Sequence, residues 1–425
     1  MKEQTVFEFL TESSRKLLYS IELLICARRR NEDFTRNRTM PFTDLMLFMI
    51  NLVRGSTQVQ LNRFFENIKE VEMKMKQQSF SEARSKIQWE ACRMFLDNSV
   101  ESYYEYHKGN YGTFEGYRLL AVDGSKQQLP SDGVLREIYG TYGRGDAVTG
   151  QGSTLYDVIN NIIIDARLEP ISTDERTLAL EHIEILRNLA SFNRELILFD
   201  RGYASFELIK ALLDDEKPVS FLFRLRSKFN VEIDELPLGN HAFTLRKGKE
   251  SFELRVIKFT LDTGEEETLL TNLVDENLSL EDFKKLYFMR WGIETKYGEL
   301  KLRFEIENFS GRTQNNILQD FYITAYLSNM IAAAAESAQE TVDEERNDKD
   351  NLYEYKVNIN QAIGSFKDRF IKILLEENRR KQRKQFADLM RLLADSVTPI
   401  RPGRKVPRNP NPRKARFHYN QKSNC

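Results

Sequence analysis

The spacing of apolar residues divides the chain into helical and extended stretches. Up to about residue 105, apolar positions recur every three to four residues, as in TDLMLFMINLV at 43–53, which predicts helices. From Tyr117 onward short apolar runs appear instead, at 117–122, 155–168 and 195–199, with a helical pattern at 173–190. An Asn160-Asn161 turn divides the second run into two strands. A strand–helix–strand order after a hairpin predicts an α/β sheet with parallel pairing.

A second extended region follows between Lys217 and Leu273. Its runs VSFLFRLRS, FTLRKG, SFELRVIKFTL and EETLLTNLV are separated by Gly-containing turns, which predicts an antiparallel meander. A long helix is then predicted from Ser279 to Phe304, with Ser279 and Asp282 forming a capping box. Another helix follows, then the acidic run 341–351, which is typical of a linker.

These patterns predict five regions. They are a helical DNA-binding region (1–110), the first part of a core (111–210), a β-rich insertion (211–278), the second part of the core (279–345), and a helical region with a basic tail (346–425). For the first region a plain helical bundle with solvated cations explains the pattern equally well. The Gly-rich stretch 139–153 lacks a Gly-Lys-Ser/Thr phosphate-loop motif and is expected to be a flexible loop beside the site.

Charge is distributed unevenly along a chain whose net charge is only −1. Eight Lys or Arg residues and no Asp or Glu lie between Ile400 and Cys425, so the first 399 residues carry −9. This proline-rich tail, with the basic patch Arg379–Lys384, is expected to contact nucleic-acid phosphates; a merely solvated tail is the alternative. No apolar run is long enough to cross a membrane, and three scattered cysteines suit a reducing cytoplasm.

Four polar residues share one face of the predicted Ser279–Phe304 helix. Tyr287, Arg290, Glu294 and Lys301 fall within about 60° of one another at 100° per residue. One carboxylate among two cations and a phenol suits a metal ion beside a phosphate. A solvated face of ion pairs is the ordinary alternative.

Two aspartates end predicted strands. Asp123 follows YRLLAV and Asp200 follows ELILF. Because open α/β sheets place their sites at the carboxyl ends of strands, Asp123, Asp200 and Glu294 are predicted to meet there as metal ligands. Each alone could be a turn former or a surface ion-pair member. Asp157 and Asp165 compete for the role, but their place in the hairpin indicates polar-face residues.

Together these residues resemble the IS4 family of bacterial DDE transposases. Asp123-Gly-Ser, Asp200-Arg-Gly-Tyr and the Tyr-Arg-Glu-Lys helix are similar to the three catalytic blocks of that family, and 34–42 and the RPGRKVPR tail extend the similarity. The resemblance implies an RNase H-like (retroviral integrase-type) core with a β-rich insertion. It implies that Asp123, Asp200 and Glu294 bind two Mg²⁺ ions, which Mn²⁺ could replace. Tyr287, Arg290 and Lys301 would contact DNA phosphates, with Arg201 and Tyr203 as weaker candidates.

The resemblance further implies cut-and-paste transposition. The steps would be cleavage at terminal inverted repeats, a DNA hairpin intermediate, and strand transfer into target DNA by the freed 3′-hydroxyl. A homodimer would act on paired ends in the nucleoid of a bacterial cytoplasm. The rivals are an RNase H-like nuclease that cuts without joining, and a transposase-derived DNA-binding regulator without catalysis.

The chain departs from the family in one respect. Some members stack a flipped base on a Trp of the insertion, whereas here the only tryptophans are Trp89 and Trp291, and Trp291 is expected in the core. One of four phenylalanines of the insertion is expected to replace that Trp: Phe221, Phe223, Phe229 or Phe243.

Overall fold

The computed structural model describes ten stretches of the chain. They are 4–36, 39–51, 55–71, 75–143, 146–189, 194–213, 216–273, 278–346, 353–366 and 369–401. The basic tail expected beyond Arg401 lies outside these residues.

The described residues form sixteen α-helices and one π-helical turn at Phe64–Ile68. The helices are α1 (Val6–Leu18), α2 (Ile21–Ala27), α3 (Phe42–Ile50), α4 (Thr57–Arg63), α5 (Gln77–Arg84), α6 (Glu90–His107), α7 (Gly133–Tyr139), α8 (Glu175–Asn188), α9 (Phe206–Leu212), α10 (Val231–Asp234), α11 (Leu280–Met289), α12 (Trp291–Leu302), α13 (Gln314–Arg346), α14 (Ile359–Phe366), α15 (Arg369–Leu375) and α16 (Arg379–Ala394). None of the described helices is long and apolar enough to span a membrane.

Eleven strands are described. They are β1 (Arg118–Gln128), β2 (Thr141–Tyr142), β3 (Ala147–Asp157), β4 (Ile162–Pro170), β5 (Glu195–Phe199), β6 (Ser220–Arg224), β7 (Gly239–Lys247), β8 (Glu250–Thr260), β9 (Glu266–Thr271), β10 (Glu354–Val357) and β11 (Val397–Ile400).

The chain divides into two compact units. The first comprises residues 1–107, 300–311 and 315–425, and the second comprises 108–299 and 312–314. The boundary therefore falls inside α12, between Glu299 and Leu300.

The first unit is helical and is organised around α13, which is buried over most of its length. A cluster of aromatic rings from α1, α14, α15 and α16 packs beside it; its members are Phe7, Phe366, Phe370 and Phe386. The predicted linker at 341–351 is wrong in its first half, because α13 continues to Arg346. Acidic residues such as Glu are good helix formers, so α13 continues through them.

The second unit contains a nine-stranded sheet in the order β2-β3-β1-β5-β6-β9-β8-β7, with β4 paired to the other part of β3. β1, β3 and β4 are antiparallel, as the Asn160-Asn161 turn predicts. β5 and β6 are parallel to β1, which confirms the predicted parallel pairing. The expected meander is observed in β7, β8 and β9, and it continues this same sheet through the β6–β9 pair.

The second half of the expected flexible Gly-rich loop, residues 147–153, is part of strand β3. Its glycines allow close packing: a Cβ at Gly150 would lie 2.7 Å from Leu168 Cδ1, and one at Gly152 would lie 2.9 Å from the Ser125 carbonyl oxygen. The glycines therefore serve the sheet rather than a mobile loop.

The predicted Ser279–Phe304 helix is two helices. The capping box at Ser279 and Asp282 is confirmed, but α11 ends at Met289 and α12 begins at Trp291. The side-chain angles calculated for one uninterrupted helix therefore do not hold across Arg290.

Candidate active site at the carboxyl edge of the parallel strands

Three charged residues occupy one row across neighbouring parallel strands. Val122, Phe199 and Phe223 are paired in register on β1, β5 and β6. The next position on each strand holds Asp123, Asp200 and Arg224 respectively. Below this row, the rings of Phe199 and Phe223 stack with centroids 4.7 Å apart. Asp123 and Asp200, two of the three acids predicted to meet, thus occupy neighbouring positions, but Asp123 lies within β1 and does not end that strand as predicted, because β1 continues its pairing with β3 to Gln128.

The two aspartates are half-buried, and nearby donors and cations compensate their charges only in part. Burial is the main cause that raises the pKa of Asp123 to about 7, and the charges of Asp200 and Glu175 raise it further. The Gly124 amide and the Arg290 charge only partly offset this rise. Asp200 Oδ1 is buried without a hydrogen bond, and its nearest cation is Arg224 Nη1 at 3.8 Å. A cation held by both carboxylates would favour their charged forms.

Glu294 is held differently. Its carboxylate accepts a hydrogen bond from Arg290 Nη2 at 3.1 Å, and its side chain is 41% exposed. Among the residues that the structure describes, no group of three His, Cys, Asp or Glu side chains is arranged to hold a metal ion. The structure therefore brings Asp123 and Asp200 together and leaves Glu294 in an ion pair with Arg290. Asp123 and Asp200 offer the carboxylate oxygens that hard divalent cations prefer.

A second ion pair, unforeseen from the sequence, supports the row. The Arg224 guanidinium donates to both carboxylate oxygens of buried Glu267, with the Nε–Oε2 distance at 2.8 Å. The Tyr287 hydroxyl donates to Glu267 Oε1 at 3.2 Å. Tyr287 is therefore buried and occupied within the protein, rather than presented on an open helix face.

The other predicted DNA contacts differ in exposure. Arg201 is exposed, whereas Tyr203 is 1% exposed and packs on Phe199. Arg290 is buried beside the half-buried ring of Trp291, which is not the core residue expected. Lys301 belongs to the first unit, where its Nζ lies 3.4 Å from the Glu307 carboxylate. The phosphate contacts assigned to these residues remain predictions.

Most of the expected base-stacking phenylalanines are core residues. Phe221, Phe223 and Phe243 are buried, and only Phe229 among the four is half-buried. The first two are buried because β6 lies inside the sheet, where Leu222 and its neighbours are enclosed on both faces.

Asp157 and Asp165, which compete with Asp123 and Asp200 for the role of metal ligand, are buried and are not the polar-face residues expected. Asp157 caps the hairpin by accepting from the Asn160 amide at 3.0 Å. Asp165 Oδ2 lies 2.8 Å from His182 Nδ1 and 3.0 Å from Arg167 Nε. Both are fully buried and bonded within the protein, whereas Asp123 and Asp200 are half-buried.

Comparison with known proteins identifies one domain. Residues 115–330, just over half of the chain, match the family model described as the transposase DDE domain. Comparison with curated proteins gives no match. Among solved structures, the cryo-EM structure of the piggyBac transposase synaptic complex with hairpin DNA is similar at 13% sequence identity. That similarity covers 89% of this chain and 85% of that chain, with a TM-score of 0.49.

Proposed function

The chain belongs to the transposase DDE domain family, and from this membership in a family of DNA transposases we propose a cut-and-paste transposase of the IS4 family, encoded by a bacterial insertion sequence. It would cleave the element ends and join the freed 3′-hydroxyl to target DNA. The observation that carries the proposal is the row Asp123, Asp200 and Arg224 on three adjacent parallel strands.

An RNase H-like core is part of the proposal. The order β4-β3-β1-β5-β6, with three antiparallel strands followed by two parallel ones, supports it. Strands β7 to β9 would then be the insertion between the second Asp and the Glu. The proposed domain limits remain 1–110, 111–210, 211–278, 279–345 and 346–425.

Asp123 and Asp200 would hold divalent metal, Mg²⁺ or Mn²⁺, and Glu294 would join them as third ligand. Two bound ions would activate the attacking oxygen and stabilise the leaving oxygen of an in-line displacement at phosphorus. Glu294 must first leave Arg290. The guanidinium released in this way would be free for a DNA phosphate, which it can bind with two parallel hydrogen bonds.

A hairpin intermediate and a homodimer on paired ends complete the proposed reaction. Both follow from the similarity of the three acidic blocks to the IS4 family. Base stacking during hairpin formation would need an accessible aromatic ring, and among the aromatic residues considered for this role from the sequence, Phe229 and Trp291 are half-buried.

An incubation with end DNA tests the proposal. Linear DNA carrying the inverted repeat that flanks the coding region is mixed with the protein and Mg²⁺, and nicked and joined products are separated on a denaturing gel. We expect Asp200→Asn to abolish both products while DNA binding persists, because only the metal-holding charge is removed.

Asp132→Asn is the matched control. Asp132 is a half-buried helix N-cap in the same unit, and Asn caps equally well. Equal product from wild type and Asp200→Asn would refute the assignment. Cleavage without joining would identify the nuclease instead, and DNA binding without cleavage by the wild type would identify the regulator.

A further inference from the structure

Helix α12, which carries Glu294, is tied to the sheet of the second unit at three neighbouring points. A Cβ at Gly292 would lie 2.7 Å from Val158 Cγ1, so the helix backbone is in direct contact with the β3–β4 turn. Buried Lys296 donates to Asn161 Oδ1 in the same turn at 3.0 Å. The third tie comes from Tyr297, whose ring is buried.

The third contact, from Tyr297, is made with Asp123 of the candidate site itself. Its hydroxyl donates to the main-chain carbonyl oxygen of Asp123 at 2.7 Å and also bonds the Thr154 side chain. The acceptor is main chain, so the bond leaves the Asp123 carboxylate free.

Glu294 and Tyr297 are three residues apart on α12, and residues at this spacing lie on neighbouring positions of a helix surface. The hydroxyl of Tyr297 thus connects the backbone of one proposed metal ligand to the helix of another, across 174 positions of sequence. Without this bond, the separation between Asp123 and Glu294 would depend on the Gly292 and Lys296 contacts with the β3–β4 turn.

We propose that Tyr297 is a positioning residue. Its hydroxyl fixes the distance between Glu294 on α12 and Asp123 on β1. It touches neither substrate nor reacting atoms. This inference rests on the proposed function, because it assigns Tyr297 a role in assembling that site.

Tyr297→Phe tests the inference, since it keeps the ring and removes only the hydroxyl. Mn²⁺ binding to the full-length protein is measured by titration calorimetry, and amide exchange of residues 291–299 by mass spectrometry. We expect Mn²⁺ affinity to fall about 10-fold to 100-fold, the range typical of residues that orient metal ligands. Amides of residues 291–299 should exchange faster while those of α13 are unchanged.

Tyr326→Phe is the matched control. Tyr326 is also fully buried, and its hydroxyl contacts Ser14 Oγ at 2.9 Å within the first unit. This variant loses a comparable bond, and we expect wild-type Mn²⁺ affinity and wild-type exchange in residues 291–299. Thr154→Val, which removes the hydroxyl that bonds the Tyr297 phenol, should reproduce the Tyr297→Phe effect in weaker form.

Wild-type Mn²⁺ affinity and exchange in Tyr297→Phe would overturn the inference. If the wild-type protein binds no Mn²⁺, the proposed function fails, and the exchange of residues 291–299 still decides whether Tyr297 holds the helix. The two failures are therefore distinguishable.

Discussion

At the scale of single residues, the candidate site is an arrangement of charges that are incompletely balanced. Arg224 is shared unequally: it makes two hydrogen bonds to Glu267 and approaches Asp200 only to 3.8 Å. Arg290 likewise bonds Glu294 and acts on Asp123 only through its charge. Both aspartates consequently remain short of positive charge, which is the condition expected of residues that bind a cation.

Replacing Asp123 by Asn should stabilise the metal-free protein at pH 8. The folded-state pKa of about 7 exceeds the ordinary value of 3.8, so ionised Asp123 costs stability. This cost is fully present above about pH 7, shrinks as pH falls, and is absent near pH 4. The gain from Asp123→Asn at pH 8 should be on the order of 4 kcal/mol at most. Urea unfolding at pH 8, 6 and 4 measures it.

Binding of a divalent metal should have the opposite effect on stability, because it compensates the charge of Asp123. Mn²⁺ should raise the melting temperature of the wild type and of Asp132→Asn, but have little effect on Asp123→Asn. A stability difference between wild type and Asp123→Asn that is constant across pH would contradict the raised pKa.

At the scale of elements, the interruption between α11 and α12 separates the residues of the signature face. Tyr287 on α11 is bonded to Glu267 of β9, while α12 is seated on the β3–β4 turn. Two glycines of α12 differ in their surroundings. Gly292 contacts Val158, whereas a Cβ at Gly298 would meet nothing within 4 Å.

Alanine at these two glycines should have opposite effects. Gly298→Ala should stabilise the protein by about 0.5–1 kcal/mol, because Ala loses less backbone entropy in a helix. Gly292→Ala should destabilise it by about 1–3 kcal/mol by pushing α12 away from the turn. Chemical denaturation gives both values, and the end-cleavage assay should show reduced activity for Gly292→Ala alone. Two stabilising substitutions would mean that α12 is not seated as described.

At the scale of the whole molecule, positive charge is distributed unevenly along the chain. The net charge of −1 gives the chain no general attraction for DNA. Helix α16 instead buries Phe386, Leu389 and Leu393 and exposes its basic side chains. Those exposed at its start are Arg379, Arg380, Lys381, Arg383 and Lys384.

Replacing Arg379, Arg380, Arg383 and Lys384 together by Gln should weaken DNA binding regardless of sequence. The slope of log K against log salt should fall by about 0.9 for each DNA phosphate that the variant no longer neutralises. Fluorescence anisotropy with end DNA and unrelated DNA measures both effects. Lys210→Gln with Lys247→Gln is the control, since these exposed lysines are paired with Glu250 and Glu207. An unchanged slope would remove α16 from the DNA interface.

The features that the sequence by itself determined are those that depend on residues close together in the chain. The short apolar run ELILF located Asp200 directly after a strand, whereas Asp123 lies within β1, which continues to Gln128. The predicted parallel pairing is observed between β1 and β5. The capping box and the Asn160-Asn161 hairpin were readable for the same reason, because each depends on residues close together in sequence.

Only the tertiary structure decided which charges meet. Arg224 with Glu267, Asp165 with His182 and Tyr297 with Asp123 join residues from separate elements, and no periodicity encodes such pairs. The same holds for Glu294, whose pairing with Arg290 depends on where α11 ends and how α12 packs. The identity of the acids is a property of the sequence, whereas their charge balance is a property of the fold, because burial and distant partners set it.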